Sequence, residues 1–251
     1  MNANEIISKV DDVLENGCGY YLDFHFQQDE LKQILDFIYE QWVDRIRQVC
    51  PKNWRQFANV GIRRYHELAH LLDHATTWPK EARIFKKHAV EKIRKMSLVK
   101  KLEEEYGPIE IVDEENIGHE EMDWRLVRPN ELSDIGPFHA DIWFSELGHG
   151  VHPSGNKKAI KVWVALCCEP GLNGLKIVPH SQKKQWRYHG ELRHGFVKPQ
   201  IDEDESNLPA ILLNTSPGDI VVFHDGLLHA GAINRGQYTR VSMEFMVFVE
   251  K

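Results

Sequence analysis

An imidazole and a carboxylate stand two residues apart at His139 and Asp141, inside the run Gly136-Pro137-Phe138-His139-Ala140-Asp141-Ile142-Trp143-Phe144. On an extended strand residues i and i+2 share a face, so both side chains can aim at one point. A neutral His and an ionised Asp so placed are two of the three ligands of a facial triad, which grips Fe(II) on one side and leaves the other open. The apolar neighbours Phe138, Ile142, Trp143 and Phe144 favour a partly buried site, where an unpaired Asp is costly unless it meets a cation or a metal. The missing ligand is supplied by His229, in Asp225-Gly226-Leu227-Leu228-His229-Ala230-Gly231. Eleven residues further on stands Arg240, followed by Ser242 on the same side of a strand. A guanidinium fork binds a carboxylate through two hydrogen bonds, and Ser242 can add a third. His224 competes with His229 as the distal ligand; the spacing to Arg240 favours His229.

These residues need strands to bring them together, and the second half of the chain supplies them. From Ile109 onward short apolar runs alternate with turn residues: Ile109–Val112, Trp124–Val127, Phe138–Phe144, Ile160–Cys168, Leu175–Val178, Ile211–Leu213, Ile220–Phe223 and Val241–Val249. Such spacing indicates a β-sandwich or barrel. The first hundred residues read as helical. One helix is expected over Ile6–Leu14 and a long one capped by Asp29 and ended by Pro51. Another is expected over Arg55–Leu72, and a third from Pro79 to about Tyr106. A short aromatic strand is expected over Gly19–Phe26. Helices first and strands afterwards give an α+β fold, a single domain over 1–251 with a mainly helical part (1–108) packed on a jelly roll (109–251). The acidic stretch from Arg193 to Asn207 reads as a lid or a solvated insertion.

Composition narrows the partners. The 251 residues carry a formal charge of −7, which disfavours a general affinity for nucleic acid or an anionic membrane surface. No apolar run reaches the 18 residues of a spanning helix, and the start lacks a signal-peptide pattern, so a cytoplasmic location is expected. The four cysteines show neither disulfide nor zinc spacing. His66, His70 and His74 fall at helical spacing but lack a His-Glu-x-x-His pattern and read as a helix face.

His139-x-Asp141, His229 and Arg240, with the Pro217-Gly218-Asp219 turn before the last two, together resemble the phytanoyl-CoA dioxygenase family of Fe(II)/2-oxoglutarate oxygenases. Lys161-Val162-Trp163-Val164-Ala165-Leu166 is similar to that family's strand with an inward Trp, and Asn173-Gly174 through Pro179-His180-Ser181 to its hairpin. The resemblance covers roughly residues 120–250. It implies a double-stranded β-helix (a cupin-like jelly roll) with His139, Asp141 and His229 on Fe(II). It also implies 2-oxoglutarate bound by Arg240 with Ser242 and Trp163 beside it, and O2 as oxidant. A small-molecule substrate would be hydroxylated with release of succinate and CO2. Ala140 stands where family members often carry a Gln that reaches 2-oxoglutarate, so other groups must complete that site. Arg125, Arg128 and Trp143 are candidates for substrate contact, with surface ion pairs or plain packing as the alternatives. A cupin-like metal enzyme that does not use 2-oxoglutarate, and a non-catalytic protein with a decayed site, are the competing readings.

Overall fold

A computed structural model describes residues 9–193 and 196–251. Chain order gives α1 (Lys9–Glu15), β1 (Tyr20–His25), α2 (Gln28–Val49), α3 (Trp54–Val60), α4 (His74–Thr77), α5 (Lys87–Ile93) and α6 (Ser97–Tyr106). Then come β2 (Glu110–Ile111), β3 (Asp123–Val127), α7 (Ile142–Glu146), β4 (Lys157–Cys167), β5 (Leu175–Ile177), β6 (Tyr188–Arg193) and β7 (Phe196–Ile201). β8 (Ile211–Leu212), β9 (Asp219–His224), β10 (His229–Gly231) and β11 (Arg240–Glu250) complete it.

The large sheet runs β1-β9-β4-β11-β2, with β3 also on β11; the small one runs β10-β5-β8. Every pairing is antiparallel. Side-chain period explains how the layers stack. Val162, Val164, Ile220, Val222, Met243, Phe245 and Val247 face one way and share a core with Ile34, Ile38, Trp42 and Ile46 of α2. The intervening Trp163, Ala165, Val221 and Phe223 face the other way and share a second core with Leu175 and Ile177 of the small sheet. The two sheets therefore face each other as a jelly roll, and the helices cover the outer face of the large sheet. Each fully buried aliphatic or aromatic side chain in these layers is worth about 1.5–3 kcal/mol.

Several expected elements differ in the structure. Glycine at 61 adopts φ +76, so the helix expected over Arg55–Leu72 ends at Val60 and continues as 3-10 turns. The helix expected from Pro79 is interrupted because Ile84 bridges Asp123 and the Phe85 N–H donates to the Met122 carbonyl, drawing that segment onto the start of β3. It resumes at α5 and again at α6, where the Glu30 carboxylate accepts from the Ser97 N–H (2.7 Å) and hydroxyl (2.6 Å). The cap of α2 is Gln27 rather than Asp29, with the Gln27 N–H donating to Glu30 at 3.2 Å. Ile6, Ile7 and Ser8 of the first expected helix lie outside the described residues, and Lys9–Leu14 fall in α1. The acidic stretch opens with Arg193, the last residue of β6, and continues as β7, the second strand of a β6–β7 hairpin; residues 194 and 195 are not described.

Candidate metal centre

The segment expected as a strand over Phe138–Phe144 is not one, and the departure is what makes the site. His139 pairs with His229 in a single antiparallel bridge: each donates its N–H to the other's carbonyl, at 3.1 and 2.9 Å. The chain then turns. Asp141 takes φ −63, ψ −35 as the N-cap of α7, anchored where the Ile142 N–H meets the Asp225 carbonyl. The period-two argument aimed Asp141 at the right point by the wrong conformation. Ligand atoms of His139, Asp141 and His229 lie within 4.8 Å of one another, the one such group of three among the described residues.

Both imidazoles are held in the same way. The Nδ1 of His139 lies 3.0 Å from the Pro137 carbonyl, and that of His229 lies 2.9 Å from the Leu227 carbonyl. A carbonyl can only accept, so each Nδ1 carries the proton and each Nε2 presents a lone pair, the outer-sphere arrangement of metal-bound histidines. Burial, followed by the neighbouring His229, pushes His139 down to about 4, so it is neutral at physiological pH. For Asp141 burial works upward, but Lys161 and the two histidines outweigh it and hold the carboxylate below its usual range. A ligand set of two imidazoles and one carboxylate suits a divalent iron site.

Three hydrogen-bonding atoms around this point are buried without a partner: Asp141 Oδ2, Arg240 Nε and Ser242 Oγ. Leaving such atoms unsatisfied costs about 1–3 kcal/mol each. Their chemistry fits a cation at Asp141 and a carboxylate at Arg240 and Ser242. Arg240 Nη1 is fixed by the Gly174 carbonyl at 2.7 Å, which orients the fork, and its Cζ lies 5.9 Å from the Trp163 ring. Trp163 thus lies in the inner layer beside Arg240.

Of the other candidates, Arg125 lies inside the roll, paired in register with Ser242 and bonded to Glu244 Oε1 at 2.7 Å. Its side chain remains 45% accessible. Arg128 is spent on Asp134, at 2.7 and 3.0 Å, and borders a separate cavity of about 420 Å³ with His66 and His70. Trp143 stacks on Tyr188 at 4.4 Å and 6°, and with Trp186 and Glu146 it lines a cleft of about 410 Å³. His224 lies 3.0 Å from Asp225 and accepts from the Gly226 N–H; it belongs to the turn. His66 meets Thr239 and His74 meets Tyr65, and His70 is exposed. Lys161, Glu244 and the buried Thr215, whose hydroxyl has no partner and approaches Gly174, went unnoticed in the sequence. Lys161 and Glu244 stand two residues from Trp163 and Ser242, so strand parity was a signal available for both.

Solved structures share this fold. A non-heme monooxygenase, ThoJ, superposes with a TM-score of 0.56 at 14% identity, covering 96% of this chain and 76% of its own. AviO1 from Streptomyces viridochromogenes gives 0.54 at 14%, covering 96% and 95%. The epimerase SnoN, solved with Fe3+, α-ketoglutarate and nogalamycin RO, gives 0.51 at 14%, covering 92% and 79%. At such identities the likeness speaks to the fold. A comparison with curated protein sequences gives no match. The family model for phytanoyl-CoA dioxygenase (PhyH) matches residues 19–242, nearly the whole chain and every residue of the centre described above, and the protein belongs to that family.

Proposed function

We propose that the protein is an Fe(II)- and 2-oxoglutarate-dependent oxygenase that hydroxylates a small molecule, with residues 1–251 acting as one catalytic domain. The observation that carries this reading is the coincidence of the three converging ligands with the orphaned Arg240 Nε and Ser242 Oγ, the Arg240 guanidinium lying against Gly231 on the strand that begins with His229. His139, Asp141 and His229 would hold the iron, and Arg240 with Ser242 would hold the distal carboxylate of 2-oxoglutarate. The bound pair supplies the oxidising chemistry, in which decarboxylation of 2-oxoglutarate to succinate and CO2 is coupled to oxidation of a substrate C–H bond by O2. The protein's part is geometric. The Pro137 and Leu227 carbonyls keep both Nε2 lone pairs forward, Gly174 aims the Arg240 fork, and Trp163, Phe223 and Leu227 line the interior with apolar surface that excludes water.

The test is anaerobic titration of Fe(II) and 2-oxoglutarate, following the weak visible charge-transfer band, on wild type and Arg240→Ala. The expected result is a band in wild type that needs far more 2-oxoglutarate in the variant. Iron binding without a band would overturn the co-substrate and favour a cupin-like enzyme, whereas no iron binding would favour a decayed site. Hydroxylation predicts a product heavier by one oxygen atom; turnover to a product of unchanged mass would point to epimerisation instead.

A further inference from the structure

Side chains alternate along β10, so Ala230, which shares a core with Trp143, faces away from His229 and the metal centre. On that outer side lies the cleft of about 410 Å³, within the size range of small-molecule sites. Trp143, Glu146, Lys184, Trp186, Tyr188 and His224 line it. Three aromatic rings and a carboxylate around one cleft are the parts of a cation cage, because a ring face carries the negative end of its quadrupole.

The rings are held in place. Trp143 and Tyr188 stack at 4.4 Å and 6°, and the Tyr188 hydroxyl donates to Glu146. Trp186 Nε1 donates to the Ser181 carbonyl at 2.9 Å, and the Ser181 hydroxyl accepts from the Leu228 N–H at 2.8 Å. A cation already sits on this wall, and it is the chain's own. The Lys184 ammonium lies 3.7 Å from the centroid of the Trp186 ring, well inside the roughly 6 Å reach of a cation–π contact. Lys184 is weakly committed to that seat: its side chain is 57% exposed, and it lies 3.8 Å from Glu203, an alternative partner outside the aromatic wall. The other basic group of the lining, His224, lies 3.0 Å from Asp225 and 3.5 Å from Glu15, so acids match its charge.

We propose that this cleft is a second ligand site, separate from the metal centre, for a small organic cation with a methylated or quaternary ammonium head. The ligand displaces Lys184 from Trp186 and takes Glu146 as its counter-charge. Exchange favours the methylated head, because a lysine ammonium is compact and strongly hydrated and returns readily to water and Glu203. A quaternary head has no hydrogen-bond donors to leave unsatisfied against the rings. The site does not depend on the oxygenase reading, since none of its lining residues is a metal ligand.

The test is calorimetric titration of choline into the full chain. Sodium chloride at matched ionic strength, and the uncharged analogue of choline with carbon in place of nitrogen, serve as controls. Wild type should bind choline saturably and the uncharged analogue much more weakly. Trp186→Ala should bind choline about ten-fold or more weakly, the loss of a partly desolvated cation–π contact. Lys184→Ala should bind it about two- to five-fold more tightly, because the internal competitor is gone. Lys184 is exposed, so that variant decides alone if Trp186→Ala fails to fold. No binding by wild type and Lys184→Ala, equal binding of the uncharged analogue, or a Lys184→Ala affinity no higher than wild type would each overturn the proposal. Choline binding that Trp186→Ala leaves unchanged would put the cation elsewhere and overturn it too.

Discussion

The two faces of the large sheet are built from the same strands by opposite rules. On β11, Val241, Met243, Phe245, Val247 and Val249 turn to the helices and are sealed in a continuous apolar core. Arg240, Ser242 and Glu244, on the alternate positions, turn to the roll interior, where buried polar atoms stand without partners. Burial on the helical side removes apolar surface from water and stabilises the chain. On the inner side it strands polar groups at a cost of about 1–3 kcal/mol each, tolerable only because the helical face supplies the surplus. Stability and chemistry are thus separated by one residue of strand period.

That separation can be broken or sharpened experimentally. The largest effect should come from His229→Ala. It should weaken Fe(II) binding by more than about 100-fold, the upper end of what losing an outer-sphere partner costs, and abolish the charge-transfer band. Calorimetry should show Tm changing by less than about 4 °C, the equivalent of roughly 1 kcal/mol. Phe245→Ala inverts the pattern. It should cost about 3–5 kcal/mol in urea unfolding while leaving the band intact at temperatures below melting. A lost band in that variant would show that the two faces are not separable.

Acid provides the next contrast. Burial pushes both His139, on the inner side, and His74, among the helices, down to about 4 from 6.5. The unfolded chain takes up these protons first as pH falls, so apo-protein stability should be flat above about pH 7 and decline between about 6.5 and 4, by a few kcal/mol in all. Adding Fe(II) should steepen the decline, because protons compete with metal for His139. A Tm that is level down to pH 4.5 in the apo-protein would contradict this. The smallest expected change is Ser242→Ala, which removes one hydroxyl from the carboxylate site and should weaken 2-oxoglutarate by about ten-fold with unaltered iron affinity.

Much of this was legible in the sequence, and its limits have physical causes. β4 and β9 announce themselves as short apolar runs and β11 by apolar residues at period two, and their inward residues include Trp163, Arg240 and Ser242. Residues 138–144 do not: the aromatic run has strand composition, but the bridge to His229 ends the strand after one pair and Asp141 caps a helix. Long-range contacts also broke helices that local periodicity would continue, as the Ile84–Asp123 bridge does after Pro79. Lys161 was hidden because a lysine in an apolar strand reads as an edge or an error until its neighbours across the roll are known. Arg128 lies just past the end of β3, where Asp134 takes its guanidinium, whereas Arg125 within the strand pairs in register with Ser242.

α7 has only five residues, yet Asp141 forms its cap and the side chains of Trp143 and Glu146 hold Tyr188 of the hairpin. A carboxylate of the metal centre and the support of the hairpin thus share one short rigid lever. Whatever shifts the carboxylate on metal uptake is felt at the hairpin, and whatever presses on the hairpin from outside is felt at the metal.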